Sequence, residues 1–199
     1  MIPFVIHNVK SISAMTLLIF GAFFSAPERE TRVWVAPESE VVIIGTTNVN
    51  GFTCKYKVQE LEVPVQLTYN DKVEQIQFKN AKLKLANDCF DCGGKAINKD
   101  FRELLKTEQH PQVELRLLHV DPPETDGQKI GVGMEITIAG VAHKYETTLS
   151  CVQAGDICVN GTLDLLLSDF DLEPPRKVLG MIKVDNKIKV ELSLKLKEI

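Results

Sequence analysis

Hydrophobic and polar residues alternate with a period of two along most of the chain after Thr31, instead of following the 3.6-residue period of a helix. The clearest run lies near the C-terminus, where the even positions are apolar and the odd positions are mostly charged. The apolar set is Ile182, Val184, Ile188, Val190, Leu192, Leu194 and Leu196. This alternation predicts a strand with one buried and one wet face, as in an antiparallel sheet. Asp185 and Asn186 interrupt the pattern, so we expect a turn there and a strand that starts near Lys187.

The same alternation recurs upstream, and in one place it slips by one residue. Ile76 and Phe78 share even positions, whereas Ala81, Leu83 and Leu85 share odd positions. A strand can change parity without ending if a β-bulge inserts one extra residue. We therefore predict a bulge between Phe78 and Ala81. Bulges of this kind help a sheet to curl and close.

One segment, residues 98–107 ("NKDFRELLKT"), has a helix-like pattern. Asn98 is a candidate N-cap, the apolar residues form one stripe, and Pro111 follows shortly afterwards. We count about eight strands, with this helix between the fourth and the fifth. A sheet of that size leaves exposed edges unless it closes or folds over, which favours an antiparallel barrel or a sandwich. The sequence thus predicts one all-β domain over residues 31–199.

The first 26 residues differ from the rest of the chain. Lys10 is the sole charged residue before Glu28, and residues 12–24 form a mostly apolar run that ends in Ser25 and Ala26. This layout is typical of a secretory signal peptide. An uncleaved N-terminal anchor is the alternative interpretation of residues 1–26.

Composition and motifs exclude several functional classes. The formal net charge is −4, and basic residues form no cluster interleaved with aromatic residues, which argues against nucleic-acid binding. The sequence contains no Gly-x-Ser-x-Gly elbow, no phosphate-binding glycine loop and no nucleotide fingerprint. The histidines are scattered, and no ligand pairs have the spacing of a metal site. We therefore predict no catalytic residues, no metal and no enzymatic activity.

Four segments resemble, in order, the landmarks of the YceI-like family. They are "RVWVAPESEVVIIGTTNVNGFTC", "CGGKAINKDFRELLKTEQHPQVELRL", "EITIAGVAHKYETTL" and "SDFDLEPPRKVLGMIKVDNKIKVELSLKL". Trp34 and Ser39 stand at the expected places in the first segment. The wording "TNVN-x-F-x-C" is closest to the branch common in Bacteroidetes-type bacteria. The chain departs from the family pattern in the first strand, where "APES" replaces an acidic residue followed by "HS".

This resemblance implies a lipocalin-like antiparallel barrel that binds an isoprenoid lipid. A bacterial protein of the family is expected to be periplasmic or secreted, and to carry or sequester a polyisoprenoid or quinone-like lipid without another cofactor. The inward positions suggest lining residues for the ligand: Trp34, Phe52, Phe78, Met134, Tyr145 and Leu163. Transient membrane contact and a homodimer are left open.

The five cysteines allow several pairings. The resemblance favours a disulfide between Cys54 and Cys92, with Cys54 to Cys89 as the next option. Parity argues against a bridge between Cys151 and Cys158. The apolar sets of both strands are odd, so odd residues should pair across a turn with Gly155 in the left-handed region, and Cys158 then points outward.

Two other functions remain as alternatives. The same apolar residues could fill the barrel, which would make it a structural or interaction module. Cys89 and Cys92 form a Cys-x-x-Cys motif, so a thiol-redox protein is the second alternative, although no βαβ unit surrounds the motif. The turn in residues 45–54, "GTTNVNGFTC", is interpreted as a hairpin in which Asn and Gly adopt unusual backbone angles.

Overall fold

The computed structural model describes residues 28–61, 64–71, 75–121, 123, 129–174, 176–177 and 182–199. Residues 1–26, and with them the predicted signal peptide or anchor, lie outside this part. The strands are β1 (Glu28–Val35), β2 (Glu40–Thr47), β3 (Gly51–Tyr56), β4 (Val65–Asp71), β5 (Ile76–Ala86), β6 (Phe90–Asp91), β7 (Gln112–Val120), β8 (Lys129–Ile138), β9 (Val141–Ala154), β10 (Asp156–Leu166), β11 (Arg176–Lys177) and β12 (Ile182–Glu198). The α-helix in the described residues is α1 (Lys95–Leu104).

Eight strands form a closed antiparallel ring in the order β1-β4-β5-β7-β8-β9-β10-β12, and β12 pairs with β1 to close it. The predicted all-β lipocalin-like barrel of about eight strands is therefore confirmed. Strands β2, β3 and β6 extend the sheet from the other part of the long strand β12. In chain order, α1 follows the two-residue strand β6 and precedes β7.

Strands β1 and β2 lie one after the other along the same edge of β12. Val35 pairs with Leu196, and Glu40 pairs with Ser193. Ser39 occupies the break between the two strands and is buried. Its Oγ accepts a hydrogen bond from the backbone N of Lys195 at 2.9 Å. The serine hydroxyl thus takes the place of a backbone hydrogen bond at the point where the strand paired with β12 changes from β2 to β1.

The predicted bulge in β5 is confirmed. Tyr69 pairs with Phe78 and Thr68 pairs with Asn80, which leaves Lys79 as the extra residue. The interruption in β12 takes a different form from the expected turn. The strand runs continuously from Ile182, and its register with β2 shifts between Val184 and Ile188. The polar pair at 185 and 186 therefore bulges, because β2 pairs with the strand both before it, at Val184, and after it, at Ile188.

The hairpin between β2 and β3 forms as predicted, but the backbone conformation of its turn differs from the prediction. The described residues with positive φ are Lys106, Ala139, Asp171, Gly93, Gly140 and Gly155, so residues 48–51 contain none. Instead, the Oγ1 of Thr47 accepts hydrogen bonds from the backbone N of Val49 and Asn50 at 3.1 and 2.9 Å. A threonine hydroxyl therefore shapes the turn, in place of the predicted unusual angles at Asn and Gly.

The helix begins four residues earlier than predicted when the N-cap residues are compared. Gly94 is its N-cap residue, and Lys106, with φ of 52°, terminates it after Leu104. Asn98 lies in the first turn of the helix and does not cap it. Its side chain is engaged elsewhere, because its Oδ1 accepts a hydrogen bond from the backbone N of Cys92 at 2.7 Å.

Candidate functional site

The interior of the ring contains two apolar cavities. We call the first the strand cavity: it measures about 230 Å³ and its lining residues all belong to strands. We call the second the helix cavity: it measures about 70 Å³ and is lined in part by Phe101, Leu104 and Leu105 at α1. The two follow each other along the lumen, since Ile130 at the start of β8 lines the strand cavity and Ile138 at its end lines the helix cavity.

All eight strands of the ring contribute to the strand cavity. Its lining is apolar apart from Lys82, whose Nζ lies 3.5 Å from Glu114 Oε2. Several lining leucines, including Leu117, Leu194 and Leu196, are only partly buried although they face inward. The strand cavity lies between these side chains, so this part of the barrel interior is not filled. A dry apolar cavity of about 150 Å³ can hold benzene, so this volume is sufficient for a small hydrocarbon.

A polar contact lies beside this cavity at the end of β12. Glu198 pairs with the inward-facing Val33, and its Oε1 accepts a hydrogen bond from Thr31 Oγ1 at 2.6 Å. The inward positions therefore change from apolar at Val33 and Leu196 to polar at Thr31 and Glu198. An amphiphilic molecule would meet an apolar interior and a hydrogen-bonding rim.

The helix cavity is enclosed by larger side chains. Phe52 lies over Gly45 on the paired strand, where a Cβ would collide with its ring. Phe90 also lines this cavity and contacts Phe101 of α1, with ring centroids 5.2 Å apart. The absence of a side chain at Gly45 thus allows an aromatic ring to occupy space that would otherwise enlarge the cavity.

Cross-links fix α1 at this end of the barrel. A disulfide joins Cys54 on β3 to Cys92 just before α1, which is the pairing that the resemblance favoured. Next to it, the Nδ2 of Asn98 donates to Asp91 Oδ1 at 3.0 Å. This bond and the backbone N–H of Gly93 lower the pKa of the Asp91 carboxyl. The start of α1 is therefore held by one covalent bond and a local hydrogen-bond network.

The exit from α1 is held by a buried asparagine. Asn87, 1% exposed, donates from Nδ2 to the backbone O of His110 at 2.8 Å and to Thr107 Oγ1 at 3.1 Å. Its backbone N also donates to Pro111 O at 2.9 Å. These bonds connect the end of β5 to the segment between α1 and β7, so both ends of α1 are tied to the sheet.

Strands β9 and β10 pair near their shared turn, and a short 3-10 turn (Leu167–Phe170) packs against β9 farther along. Tyr145 on β9 donates from its hydroxyl to Asp169 Oδ2 at 2.8 Å. Burial, and then this hydrogen bond and the charge of Asp169, raise the pKa of Tyr145. The ring of Tyr145 also lies 6.2 Å from that of Phe170, which is fully buried. The tyrosine therefore fastens this turn to the barrel wall.

The structure brings three of the six predicted lining residues to the cavities. Phe52 and Leu163 line the helix cavity, and Met134 lines the strand cavity. The other three do not line them. Trp34 is 40% exposed on the outer face, because its neighbours Val33 and Val35 take the inward positions. Phe78 packs on Tyr69, and Tyr145 is held by Asp169.

The remaining cysteines do not form the alternative pairings. Cys89 is free and Cys92 is bonded to Cys54, so the Cys-x-x-Cys motif is not an internal dithiol or disulfide pair. Cys151 pairs with Val159 across the β9–β10 hairpin, and Cys158 pairs with Val152. The two thiols thus lie on opposite faces and are free, as parity predicts, and Gly155 has the predicted positive φ of 96°.

Sequence reasoning missed most of the strand cavity. Its lining includes Leu115 and Leu117 on β7 and Leu192, Leu194 and Leu196 on β12. These residues belong to the alternating sets that predict buried strand faces, so the signal was present. Four of the six predicted lining residues are aromatic, whereas the residues that line the strand cavity are mostly smaller aliphatic side chains.

Within the part of the chain that the structure describes, no group of three or more His, Cys, Asp or Glu side chains could hold a metal ion. No helix among these residues is long and apolar enough to cross a membrane.

Comparisons with known proteins agree with this architecture. Two solved structures share the fold: BcnA of Burkholderia cenocepacia, at 17% identity with a TM-score of 0.59, and a polyisoprenoid-binding domain from Saccharophagus degradans implicated in plant cell wall breakdown, at 14% with a TM-score of 0.58. They cover 82% and 85% of this chain and 99% and 98% of their own. Among curated proteins, no sequence matches. The model of the YceI-like domain matches residues 35–196, so the chain belongs to the YceI-like family.

Proposed function

We propose that this protein binds an apolar lipid inside the barrel, with an isoprenoid chain such as a quinone tail as the preferred ligand, and that it carries or sequesters this lipid. The observation that carries the proposal is the strand cavity, an unfilled apolar space of about 230 Å³ formed by all eight strands of the ring. Burial of a hydrocarbon chain there would gain roughly 0.8 kcal/mol per methylene before the costs of association.

Two further features support a lipid with a polar end. The contact between Thr31 and Glu198 places hydrogen-bonding groups beside the apolar lining, so a hydroxyl or carbonyl head group would be solvated there. The structurally similar domain from Saccharophagus degradans is described as polyisoprenoid-binding. Its low identity supports the fold, and the apolar lumen of this chain supplies the argument for the ligand class.

The role is proposed as binding without catalysis. Among the described residues, those that line the two cavities are aliphatic or aromatic apart from Lys82, and they include no Ser, Cys, His, Asp or Glu side chain that could pair a nucleophile with a base. The Cys54–Cys92 disulfide supports a periplasmic or secreted location, because structural disulfides persist mainly in oxidising compartments. Cleavage of residues 1–26 remains a prediction, and the N-terminal mass of the protein from its own host would test it.

Native mass spectrometry of the protein purified from its own host tests the main proposal. We expect a bound species that dissociates on activation, and solvent extraction should release a long-chain lipid of the same mass. Repeated recovery of lipid-free protein, together with failure to bind added isoprenoid alcohols, would contradict the proposal.

A matched pair of variants connects the binding to the strand cavity. Ala81→Phe places a large ring into the cavity, because Ala81 is buried and lines it. Ala142→Phe introduces the same side chain at an exposed position on β9. The first variant should lose the lipid and the second should retain it. Equal lipid recovery from both would show that the ligand binds elsewhere.

A further inference from the structure

Two leucines mark the boundary between the two cavities. Leu115 on β7 and Leu192 on β12 each line both the strand cavity and the helix cavity. In the ring order, β7 and β12 are four strands apart in either direction, so they form opposite walls of the barrel. Both side chains therefore face the lumen from opposite walls at the level where one cavity meets the other.

At the level of these two leucines, the set of strands that surrounds the lumen changes. Leu192 pairs with Val41 of β2 on one side and with Gly161 of β10 on the other. Only a few residues later, β12 pairs with β1 in place of β2. Residues of β1 and β4 line the strand cavity and not the helix cavity, whereas residues of β2, β3 and α1 line the helix cavity and not the strand cavity. Leu192 lies at the junction of these two enclosures.

The cavity volumes give an estimate of the length of hydrocarbon chain that fits on each side of this boundary. A cavity of about 150 Å³ that binds benzene corresponds to roughly 25 Å³ per carbon, so the strand cavity accommodates roughly nine carbons. That is close to two isoprene units. The helix cavity would add space for roughly three more carbons if the boundary were open.

We propose that Leu115 and Leu192 form a partition that sets the length of the hydrocarbon chain bound inside the barrel. This inference rests on the proposed function and names its specificity-determining residues. A chain of two isoprene units reaches the partition from the strand cavity, and the next unit must displace the leucines or remain outside. Truncation of either leucine joins the cavities, and the removed atoms add further space.

Isoprenoid alcohols of two, three and four units test the partition in competition with a fluorescent lipid probe. For the wild type, we expect affinity to stop rising beyond the two-unit alcohol. For Leu115→Ala and Leu192→Ala, the three-unit alcohol should bind at least about tenfold more tightly than the two-unit alcohol, since five more carbons are buried. Leu115→Val and Leu192→Val, which retain more of the side chain, should show the same shift at reduced size if the alanine variants fold poorly.

Matched controls lie two residues along the same strands. Leu117 and Leu194 line the strand cavity and not the helix cavity. Leu117→Ala and Leu194→Ala therefore enlarge the strand cavity without opening the boundary, and they should lengthen the preferred chain less than Leu115→Ala and Leu192→Ala do. An equal shift in these controls would overturn the partition, because chain length would then follow total volume.

Crystals pressurised with xenon test the partition without any lipid, because xenon binds in apolar cavities. Two separate xenon sites in the wild type and one continuous site in Leu192→Ala are the expected result. Continuous xenon density through the wild-type lumen would overturn the partition. If no isoprenoid alcohol binds while xenon shows two sites that merge in the variant, the proposed ligand class fails and the partition stands.

Discussion

The strand cavity and the helix cavity share one barrel, yet their walls are held in different ways. Around the helix cavity, a disulfide, the buried Asn87 and the contact between Tyr145 and Asp169 add cross-links to the backbone pairing of the sheet. Around the strand cavity, the ring strands are joined by backbone pairing, apolar contacts and exposed polar contacts such as that between Thr31 and Glu198, and the enclosed volume is about three times larger.

This difference shows how a barrel can keep space for a ligand. Unfilled volume costs packing energy, because lining atoms lose contacts that a dense core would supply. Near the helix cavity, Leu85, Leu167 and Phe170 are 3%, 2% and 0% exposed, which is typical of a dense core. We infer that the half around the helix cavity contributes stability that offsets the packing energy lost around the strand cavity.

Among the changes that test the difference between the two halves, removal of the disulfide has the largest expected effect on the free energy of unfolding. The double variant Cys54→Ser and Cys92→Ser should lower the free energy of unfolding by about 3–4 kcal/mol, since the bond closes a segment with a sequence separation of 38. Urea denaturation measures this loss. Hydrogen exchange should show the greatest loss of protection at α1.

The control replaces the free thiols Cys151 and Cys158 by serine, where we expect a loss below about 1 kcal/mol. Similar losses in both double variants would mean that the disulfide does not distinguish the two halves.

Two leucines on β5 compare the packing of the halves directly. Leu85 lines the helix cavity and is 3% exposed, whereas Leu83, two residues earlier, lines the strand cavity and is only partly buried. Leu85→Ala should cost about 3–4 kcal/mol of unfolding free energy and Leu83→Ala about 2 kcal/mol, because fewer contacts are lost beside an existing cavity. Thermal and urea unfolding of both variants provide the measurement, and equal costs would show that the halves are packed alike.

The junction between the halves depends on Ser39. Ser39→Ala removes the acceptor for the backbone N–H of Lys195 in a buried position. We expect a loss of about 1–2 kcal/mol in unfolding free energy, the cost of leaving a buried donor unpaired. Ser193→Ala on β12 is the control. That hydroxyl is exposed and donates to Asn160 Oδ1, so its removal should cost less than about 0.5 kcal/mol. A neutral Ser39→Ala would show that the strand break is held by other contacts.

The smallest expected effect on stability comes from Tyr56 and appears only at alkaline pH. Burial, and to a lesser extent Cys89 and Glu60, raise the pKa of Tyr56 beside Phe90 from 10.0 to about 12. The folded state thus favours the neutral phenol. This contribution to stability is fully present below pH 10 and is lost as the pH rises towards 12.

Urea denaturation between pH 9 and pH 12 should therefore show a decline that Tyr56→Phe reduces. Tyr69→Phe, which keeps Tyr56, should retain the wild-type decline. An identical pH dependence in the wild type and Tyr56→Phe would contradict the assignment.

Much of the barrel could be predicted from the alternation of side chains. The parity slip in β5 located the bulge from the sequence alone, because the side-chain period of a strand is two and one inserted residue shifts it. Parity also separated Cys151 from Cys158. The start of α1 was misplaced, because Asn98 is a good capping residue by type but bonds to the cysteine loop.

The candidate site was predicted less completely. Trp34 was predicted to line the interior, although its own alternation with Val33 and Val35 places it outside. Phe78 contacts Tyr69, and Tyr145 donates a hydrogen bond to Asp169, and neither side chain lines a cavity. Such partners come from other segments of the chain, so a periodic pattern cannot reveal them.

The sequence by itself determined that the chain forms a curled antiparallel sheet with one apolar face, since strand parity is a local property of the backbone. Only the tertiary structure decided where the barrel is empty. That depends on which side chains meet from opposite walls, as Leu115 and Leu192 do, and on which strand accompanies β12 at each level. Volume left between distant residues is a non-local quantity, and the order of residues along the chain does not specify it.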